Sequence, residues 1–272
     1  MMKRLALIGC GAIGSVIVDA IARGEIEAKL VALMDMHPDR CTSLAKKISE
    51  EVKICKDIEC IFELKPHIVV EAASQEAVRE YVPALVGRGI DVVVLSVGAL
   101  LEKKLLNELI ELSRASKARI YVPSGAIGGI DAVKAIGIVG VKKVVLRTTK
   151  NVKAFDPNTL KQLGIDPNKI THRTIVFQGP ASVATKMFPA NINVVATLAL
   201  ATGMEPYVEI YADPEADSNV HEIEVESNVS KIYIKMVNRP HPQNPRTSYI
   251  AALSVIKLLK QLCNNDALYV GV

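Results

Sequence analysis

The chain has 272 residues, half of them hydrophobic, with 33 Lys and Arg against 29 Asp and Glu. This length and composition predict a folded, soluble protein with one large domain or two smaller ones. The basic residues occur as scattered pairs and form no polybasic tract, so we expect no nucleic-acid partner.

The first 122 residues alternate short apolar runs with longer helical patterns. The runs are RLALIG, KLVALMD, EVKIC, HIVVEAAS, DVVVLSVG and ARIYVPS. Strands that are apolar on both faces and separated by helices indicate a parallel sheet covered on both sides. The expected fold is a Rossmann-type, doubly wound α/β domain. Glycines break the N-terminal run, which predicts a first strand and no signal peptide.

The pattern changes after YVPSGAIGGIDA. Polar-alternating runs follow, namely KKVVLRTTK, YVEIYAD, NVHEIEVES and SKIYIKMV, together with the apolar helix INVVATLALATG. They predict a second α+β domain with a mixed or antiparallel sheet at residues 123–245, for substrate, catalysis and oligomerisation. The amphipathic segment 246–272 is expected to be a helix that completes the first domain, residues 1–122. No run is long and apolar enough for a transmembrane helix.

The cysteines are odd in number and form no C-x-x-C pair; they are Cys10, Cys41, Cys55, Cys60 and Cys263. None keeps metal-ligand spacing with a histidine, so no metal site is expected. We interpret all five as reduced thiols in a cytoplasmic protein.

A dinucleotide is the first ligand that the sequence predicts. Gly9, Gly11 and Gly14 give the G-x-G-x-x-G spacing between an apolar strand and a helical pattern. Gly9 makes the tight turn, Gly11 lets the backbone approach a pyrophosphate, and Gly14 lets helix and strand pack closely. Ala12 and Ile13 then lie at the helix N-terminus, where N–H groups favour an anion. The alternative is a glycine-rich turn that binds nothing.

Asp35 ends the second strand and is expected to accept hydrogen bonds from the adenosine ribose. It would repel a 2′-phosphate, by about 4 kcal/mol for a unit charge pair at about 4 Å and an effective dielectric near 20. NAD is therefore predicted to be preferred. NADP stays possible, because Arg40 could compensate.

Ligands of open α/β sheets bind at the carboxyl ends of the strands. Ala73 and Ser74 follow the fourth strand there, and small residues at these positions leave room for a cofactor. Ordinary turn chemistry is the alternative for each.

His221 is the candidate for proton exchange, since histidine suits that work near neutral pH. In a strand it shares the apolar side with Ile223 and Val225, while Glu222 and Glu224 lie on the other side. A core histidine bonded to a backbone carbonyl is the alternative that the pattern leaves open.

Two further polar residues have two interpretations each. Asn191 follows Pro189 at the start of an apolar helix, and either caps the helix or contacts a ligand. Arg246 is either a surface charge or a clamp for a substrate carboxylate.

The motifs LIGCGAIG, LSVGAL, PSGAIGGIDA, FPANINVVATLALA, VHEIEVE and NPRTSYIAALS resemble those of the L-aspartate dehydrogenases. The resemblance implies NAD- or NADP-dependent oxidation of L-aspartate to iminoaspartate, supplying NAD biosynthesis. It implies that His221 is the active-site residue and that Ala126 and Asn191 contact the cofactor. The match is poorest from Asn151 to Thr171 and leaves the role of Lys150 open.

Other functions remain as alternatives at this point. One is another two-domain reductase of the dihydrodipicolinate reductase or homoserine dehydrogenase type, and another is a non-catalytic NAD-binding sensor. The open sheet and apolar helices of the second domain predict a homodimer. L-Aspartate would bind between the domains, with His221 facing the nicotinamide.

Overall fold

The chain divides into two compact units in the computed structural model, which describes residues 2–188, 192–241, 244–264 and 268. Only the backbone is described at residues 241 and 244–247. The first unit takes the chain up to Pro123 and again from Ala252, and the second takes Ser124–Ala251. Within the described residues, no helix has the length and apolar character that crossing a membrane requires.

The first unit is built from alternating strands and helices. Its elements are β1 Lys3–Ile8, α1 Ala12–Ala22, β2 Ala28–Met34, α2 Pro38–Ala45, β3 Lys53–Cys55, α3 Ile58–Glu63, β4 Ile68–Glu71, α4 Gln75–Gly87, β5 Asp91–Val94, α5 Lys103–Ser116 and β6 Ile120–Tyr121. All strands are parallel, in the order β3-β2-β1-β4-β5-β6. This is the strand order of a Rossmann fold, so the predicted α/β architecture is confirmed.

A C-terminal helix completes the core of the first unit. This helix, α10 Tyr249–Cys263, contributes Val255, Ile256 and Leu259 to the same apolar cluster as Leu5. It begins at Tyr249 and not at Arg246, where the sequence pattern placed its start. The reason is a short antiparallel pairing that holds residues 244–248 in extended conformation.

The second unit carries a mixed sheet with helices. Its elements are α6 Ile130–Gly137, β7 Val141–Asn151, α7 Pro157–Gln162, β8 Thr174–Pro180, α8 Ala181–Met187, α9 Ile192–Thr202, β9 Tyr207–Asp213, β10 Asn219–Ser227, β11 Lys231–Asn238, β12 Pro240–His241 and β13 Asn244–Ser248. Five strands pair in the order β11-β10-β7-β9-β8, and β7 with β9 is parallel while the other pairs are antiparallel. The prediction of a mixed sheet is confirmed.

The two faces of this sheet differ in chemistry because side chains alternate along each strand. On β10, Ile223 and Val225 are fully buried in the core of the unit, with Leu146 of β7 and Leu198 of α9. The opposite face carries the glutamates of β10. His221 shares the face of Ile223, as its register predicted.

The cysteines differ from the prediction in one respect. Cys55 and Cys60 form a disulfide, so the expectation of five reduced thiols is wrong. The turn between β3 and α3 brings the two residues together, and Asp57 caps α3 by accepting a hydrogen bond of 3.0 Å from the Cys60 N–H. The cysteines therefore do not support the expected location in a reducing compartment.

Candidate active site

The glycine turn between β1 and α1 leaves room for a phosphate. Gly9 has a φ of +103°, and a Cβ there would lie 2.5 Å from the carbonyl of Ala72. A Cβ at Gly14 would collide with the carbonyl oxygen of Gly9, so both positions need glycine. At Gly11, nothing described lies within 4 Å of where a Cβ would be. Such open space at the start of a helix is what a pyrophosphate requires.

The first turn of α1 offers backbone donors to that space. Ala12 and Ile13 are the first two residues of the helix, and no described side chain caps its N-terminus. N–H groups in this position have no partner within the helix, and the helix dipole favours a negative charge beside them. Both residues are therefore placed to bind a phosphate.

Asp35 follows β2 and is fixed by two backbone donors. The Cys10 N–H donates to its Oδ2 over 2.7 Å, and the His37 N–H donates to its Oδ1 over 2.8 Å. The guanidinium of Arg40 approaches to 4.0 Å from Oδ1. A carboxylate held this firmly can present its remaining lone pairs to ribose hydroxyls.

A cavity of about 330 Å³ within the first unit brings several predicted cofactor residues together. They are Gly9, Gly11, Asp35, Ala73 and Ser74. Its volume is within the range of small-molecule sites. Arg40 and Lys56 also line it, so two cations stand in the same cavity as Asp35.

Glu71 organises the strand ends around this cavity, a role that sequence reasoning missed. Its Oε1 accepts hydrogen bonds from the N–H groups of Ala73 at 2.8 Å and Ser74 at 3.0 Å. Its Oε2 accepts from the N–H of Ser96 at 2.9 Å and from that of Leu95 at 3.3 Å. Burial raises the pKa of Glu71. The side chain joins the loops after β4 and β5, while the Ser74 hydroxyl caps α4.

His221 is buried in the second unit, on the apolar face of β10, and is only 3% exposed. Its Nδ1 lies 3.1 Å from Oγ1 of Thr148, the residue directly opposite on β7. Burial, followed by the positive charge of Lys150, lowers the pKa of His221 to about 3. The imidazole is therefore neutral at physiological pH, and one ring nitrogen carries a lone pair, while burial and the charge of Lys150 make it a weak base. The partner of its ring is a hydroxyl and not the backbone carbonyl of the alternative interpretation.

Lys150 lies on the same face, two residues beyond Thr148 along β7. It is 6% exposed, and burial alone lowers its pKa to about 8. In the described part of the chain no carboxylate forms an ion pair with it. An ammonium group is thus held near His221, and no counter-charge for it occurs among the described residues.

The segment around Ala126 packs against β11 beside the histidine. The Ala126 carbonyl accepts a hydrogen bond of 2.8 Å from Nδ2 of Asn238. A Cβ on Gly128 would lie 3.3 Å from the sulfur of Met236, which is the residue opposite His221. These contacts place Ala126 on the His221 face of the sheet.

Two predicted residues cannot be placed. Asn191 lies outside the described residues, and so does the side chain of Arg246, whose backbone belongs to β13. Among the histidine side chains that the structure describes, only His221 is buried.

A cavity of about 840 Å³ lies within the second unit. Its wall includes Lys150 and most of the segment from Asn151 to Ile170, with Met187 and Phe188 on another side. This is the stretch whose sequence resembled the family least.

Known proteins match the chain over almost its full length. Residues 131–262 match the family described as "Aspartate dehydrogenase, C-terminal", and residues 9–123 match "Homoserine dehydrogenase, NAD binding domain". The L-aspartate dehydrogenase of Methanocaldococcus jannaschii is 41% identical over 96% of this chain and 97% of that protein. That of Methanosarcina mazei is 42% identical over 97% and 98%. The chain belongs to the aspartate dehydrogenase family.

Solved structures agree with the aspartate dehydrogenase assignment. The aspartate dehydrogenase of Thermotoga maritima is 26% identical, with a TM-score of 0.76 over 99% of this chain and 100% of that one. An archaeal homoserine dehydrogenase in complex with NADPH is 14% identical, with a TM-score of 0.61 over 96% and 98%, and shares the fold alone. The predicted family is therefore confirmed.

Proposed function

We propose that this protein is an NAD(P)-dependent L-aspartate dehydrogenase. It oxidises L-aspartate to iminoaspartate, which water converts to oxaloacetate and ammonia. The observation that supports this most strongly is the likeness over nearly the whole chain to L-aspartate dehydrogenases at 41% and 42% identity. A neutral, buried imidazole on a strand of the second unit adds a ring nitrogen with a free lone pair.

The first unit holds the dinucleotide in this proposal. The N–H groups of Ala12 and Ile13 bind the pyrophosphate in the open space beside Gly11. The Asp35 carboxylate accepts hydrogen bonds from the ribose hydroxyls. We propose that NAD is preferred, because Asp35 places a negative charge where NADP carries its 2′-phosphate. Use of NADP is compatible with the two cations that line the same cavity.

When bound, the dinucleotide supplies the acceptor for the hydride that leaves Cα of L-aspartate. The α-ammonium must first lose a proton, and His221 is the acceptor that we propose. Once that proton has passed to solvent, the same imidazole, again neutral, removes a proton from the water that attacks the iminium carbon. General-base assistance of this kind contributes about 10² to 10⁴ in rate.

The hydrogen bond to Thr148 sets which nitrogen of His221 can act. If Nδ1–H donates to the hydroxyl oxygen of Thr148, the lone pair of Nε2 is free to take the proton. Thr148 is thus a positioning residue for the base. Arg246 is proposed as one ligand for a substrate carboxylate.

An absorbance assay of NADH formation tests the proposal. L-Aspartate should support turnover with NAD, while L-glutamate, L-alanine and L-homoserine should not match it. Preferred turnover of L-homoserine would point to a homoserine dehydrogenase. Binding of NAD with no turnover of any amino acid would point to a sensor.

We propose that the protein is a homodimer formed through the charged face of the second sheet. Tyr233 and Val237 of β11 are 65% and 61% exposed on this face. Beside them, Glu224 is buried among Lys143 and Lys231, which lower its pKa to about 2. This face carries exposed apolar side chains together with positive and negative charges. It can therefore be complementary to the same face of a second copy. Light scattering that gives a monomer would contradict this.

The cellular role is proposed from the reaction. Iminoaspartate is a reactive imine, and we propose that this protein supplies it to NAD biosynthesis in the cytoplasm. A strain lacking the protein should then need an external precursor of NAD. Growth of that strain without such a precursor would argue against the role and leave the enzymatic activity untouched.

A further inference from the structure

The position of Lys150 in the sheet sets it apart from the other lysines of its strand. Thr148 lies opposite His221, and alternation along β7 puts Lys150 on the same face of the sheet. Its partner on β9 is Ala212, a fully buried residue that offers no charge. Lys143 of the same strand points to the opposite face, where it binds Glu224 over 3.1 Å.

A buried ammonium group without a partner is unfavourable, because burial removes its hydration and nothing replaces it. Lys150 is 6% exposed, and none of the described carboxylates pairs with it. The fold therefore keeps a positive charge in a place where it destabilises the free protein. Such an arrangement is expected where a negative charge arrives with a ligand.

The cavity beside Lys150 has room for that ligand. Its volume of about 840 Å³ exceeds what a four-carbon amino acid fills, so shape alone does not select such a substrate. Phe155, Ile170 and Phe188 make much of the wall apolar. Asp156 also lines the cavity, but its carboxylate is engaged at the start of α7 by the N–H and hydroxyl of Thr159.

We propose that Lys150 binds a carboxylate of the substrate from the wall of this cavity and so selects a dicarboxylic amino acid. The inference rests on the proposed function and adds the residue that recognises the side-chain carboxylate. A lysine ammonium suits this task as a compact point charge with rotatable donors.

A consequence for His221 follows from the same geometry. The charge of Lys150 contributes to the low pKa of His221. A carboxylate bound at Lys150 compensates that charge, so the imidazole becomes a stronger base when a dicarboxylic substrate is present. L-Asparagine, with the same shape and no second charge, lacks this effect.

The test compares L-aspartate with L-asparagine in the full-length protein and in three variants. Lys150→Met should lower kcat/KM for L-aspartate by about 10- to 100-fold, since hydrogen bonds to charged groups are the strong ones. The ratio of kcat/KM for L-aspartate to kcat/KM for L-asparagine should fall by the same factor. Lys150→Arg keeps the positive charge and should retain most of the preference for L-aspartate. Lys143→Met is the matched control, because it removes a lysine of the same strand on the opposite face. Light scattering checks that this variant keeps the oligomeric state of the wild type, since Lys143 lies on the proposed dimer face.

Succinate provides a readout that does not depend on turnover. Its binding to the wild-type protein, measured as a rise in the thermal midpoint, should be lost in Lys150→Met and kept in Lys143→Met. An unchanged preference for L-aspartate over L-asparagine in Lys150→Met, with succinate binding intact, would overturn the inference. If the wild-type protein oxidises no L-aspartate, the proposed function fails, and the succinate measurement alone decides whether Lys150 binds dicarboxylates.

Discussion

Replacing Lys150 by methionine should make the protein more stable at neutral pH. Burial lowers the pKa of Lys150 from 10.5 to about 8. Between these values the unfolded chain binds more protons than the folded one, so the stability of the wild type rises as the pH rises. A pKa difference of one unit corresponds to about 1.4 kcal/mol, so the charged lysine destabilises the fold by about 3 kcal/mol at pH 7.

Methionine has a similar length and no charge, so the variant avoids this penalty. Its advantage in the free energy of unfolding should be about 3 kcal/mol near pH 7 and should shrink to about 1 kcal/mol near pH 10. Urea unfolding followed by circular dichroism gives the difference between the two proteins at each pH. The pKa of His221, which burial and the charge of Lys150 lower, lies well below this range, so the imidazole stays neutral throughout.

The control for this measurement is Lys143→Met, which removes a half-exposed lysine from the same strand. It shows what the loss of a lysine from this strand does when that lysine is not buried. If the curves of the wild type and Lys150→Met run parallel from about pH 7 to about pH 10, Lys150 is not a buried charge. The inference built on it would then be wrong.

His221→Ala should lower kcat by about 100-fold or more while the affinity for NAD, measured by fluorescence titration, stays as in the wild type. Near-normal turnover would make His221 a core residue. Thr148→Val should lower kcat with little effect on KM, whereas Thr148→Ser should restore it, and equal rates for both would exclude a positioning role. Asp35→Ser should raise the ratio of kcat/KM for NADPH to that for NADH, and an unchanged ratio would remove Asp35 from cofactor selection. Glu71→Ala leaves the N–H groups of Ala73, Ser74 and Ser96 without their acceptor, so the thermal midpoint and the NADH affinity should both fall, each unsatisfied group costing about 1 to 3 kcal/mol. A fall in neither would contradict the role of Glu71.

The parallel sheet could be predicted because its strands are apolar on both faces and leave a continuous signal in the sequence. The register of His221 could be predicted for a related reason, since alternation with Ile223 and Val225 places it on the buried face. The same period runs through Leu146, Thr148 and Lys150 on β7. This alternation could have indicated from the sequence that Lys150 lies on the buried face.

Other features leave no such signal. Strand β8 lies at the edge of its sheet with β9 as its partner, and Gly179 and Pro180 interrupt its pattern. The disulfide depends on a turn that brings Cys55 and Cys60 together, and their spacing matches no cysteine motif. In the sequence, Glu71 is only one polar residue at the end of a strand. Its hydrogen bonds go to backbone groups in the loops after β4 and β5, and backbone donors leave no pattern of residue types in the sequence.

The transfer of hydrogen from L-aspartate to the nicotinamide is the central claim, and isotope labelling tests it most directly. L-Aspartate that carries deuterium at Cα is incubated with NAD and the protein, and the NADH formed is analysed by proton NMR. We predict that the deuterium appears at C4 of the nicotinamide and that His221→Ala suppresses its transfer. NADH without deuterium, or no NADH at all, would contradict the account.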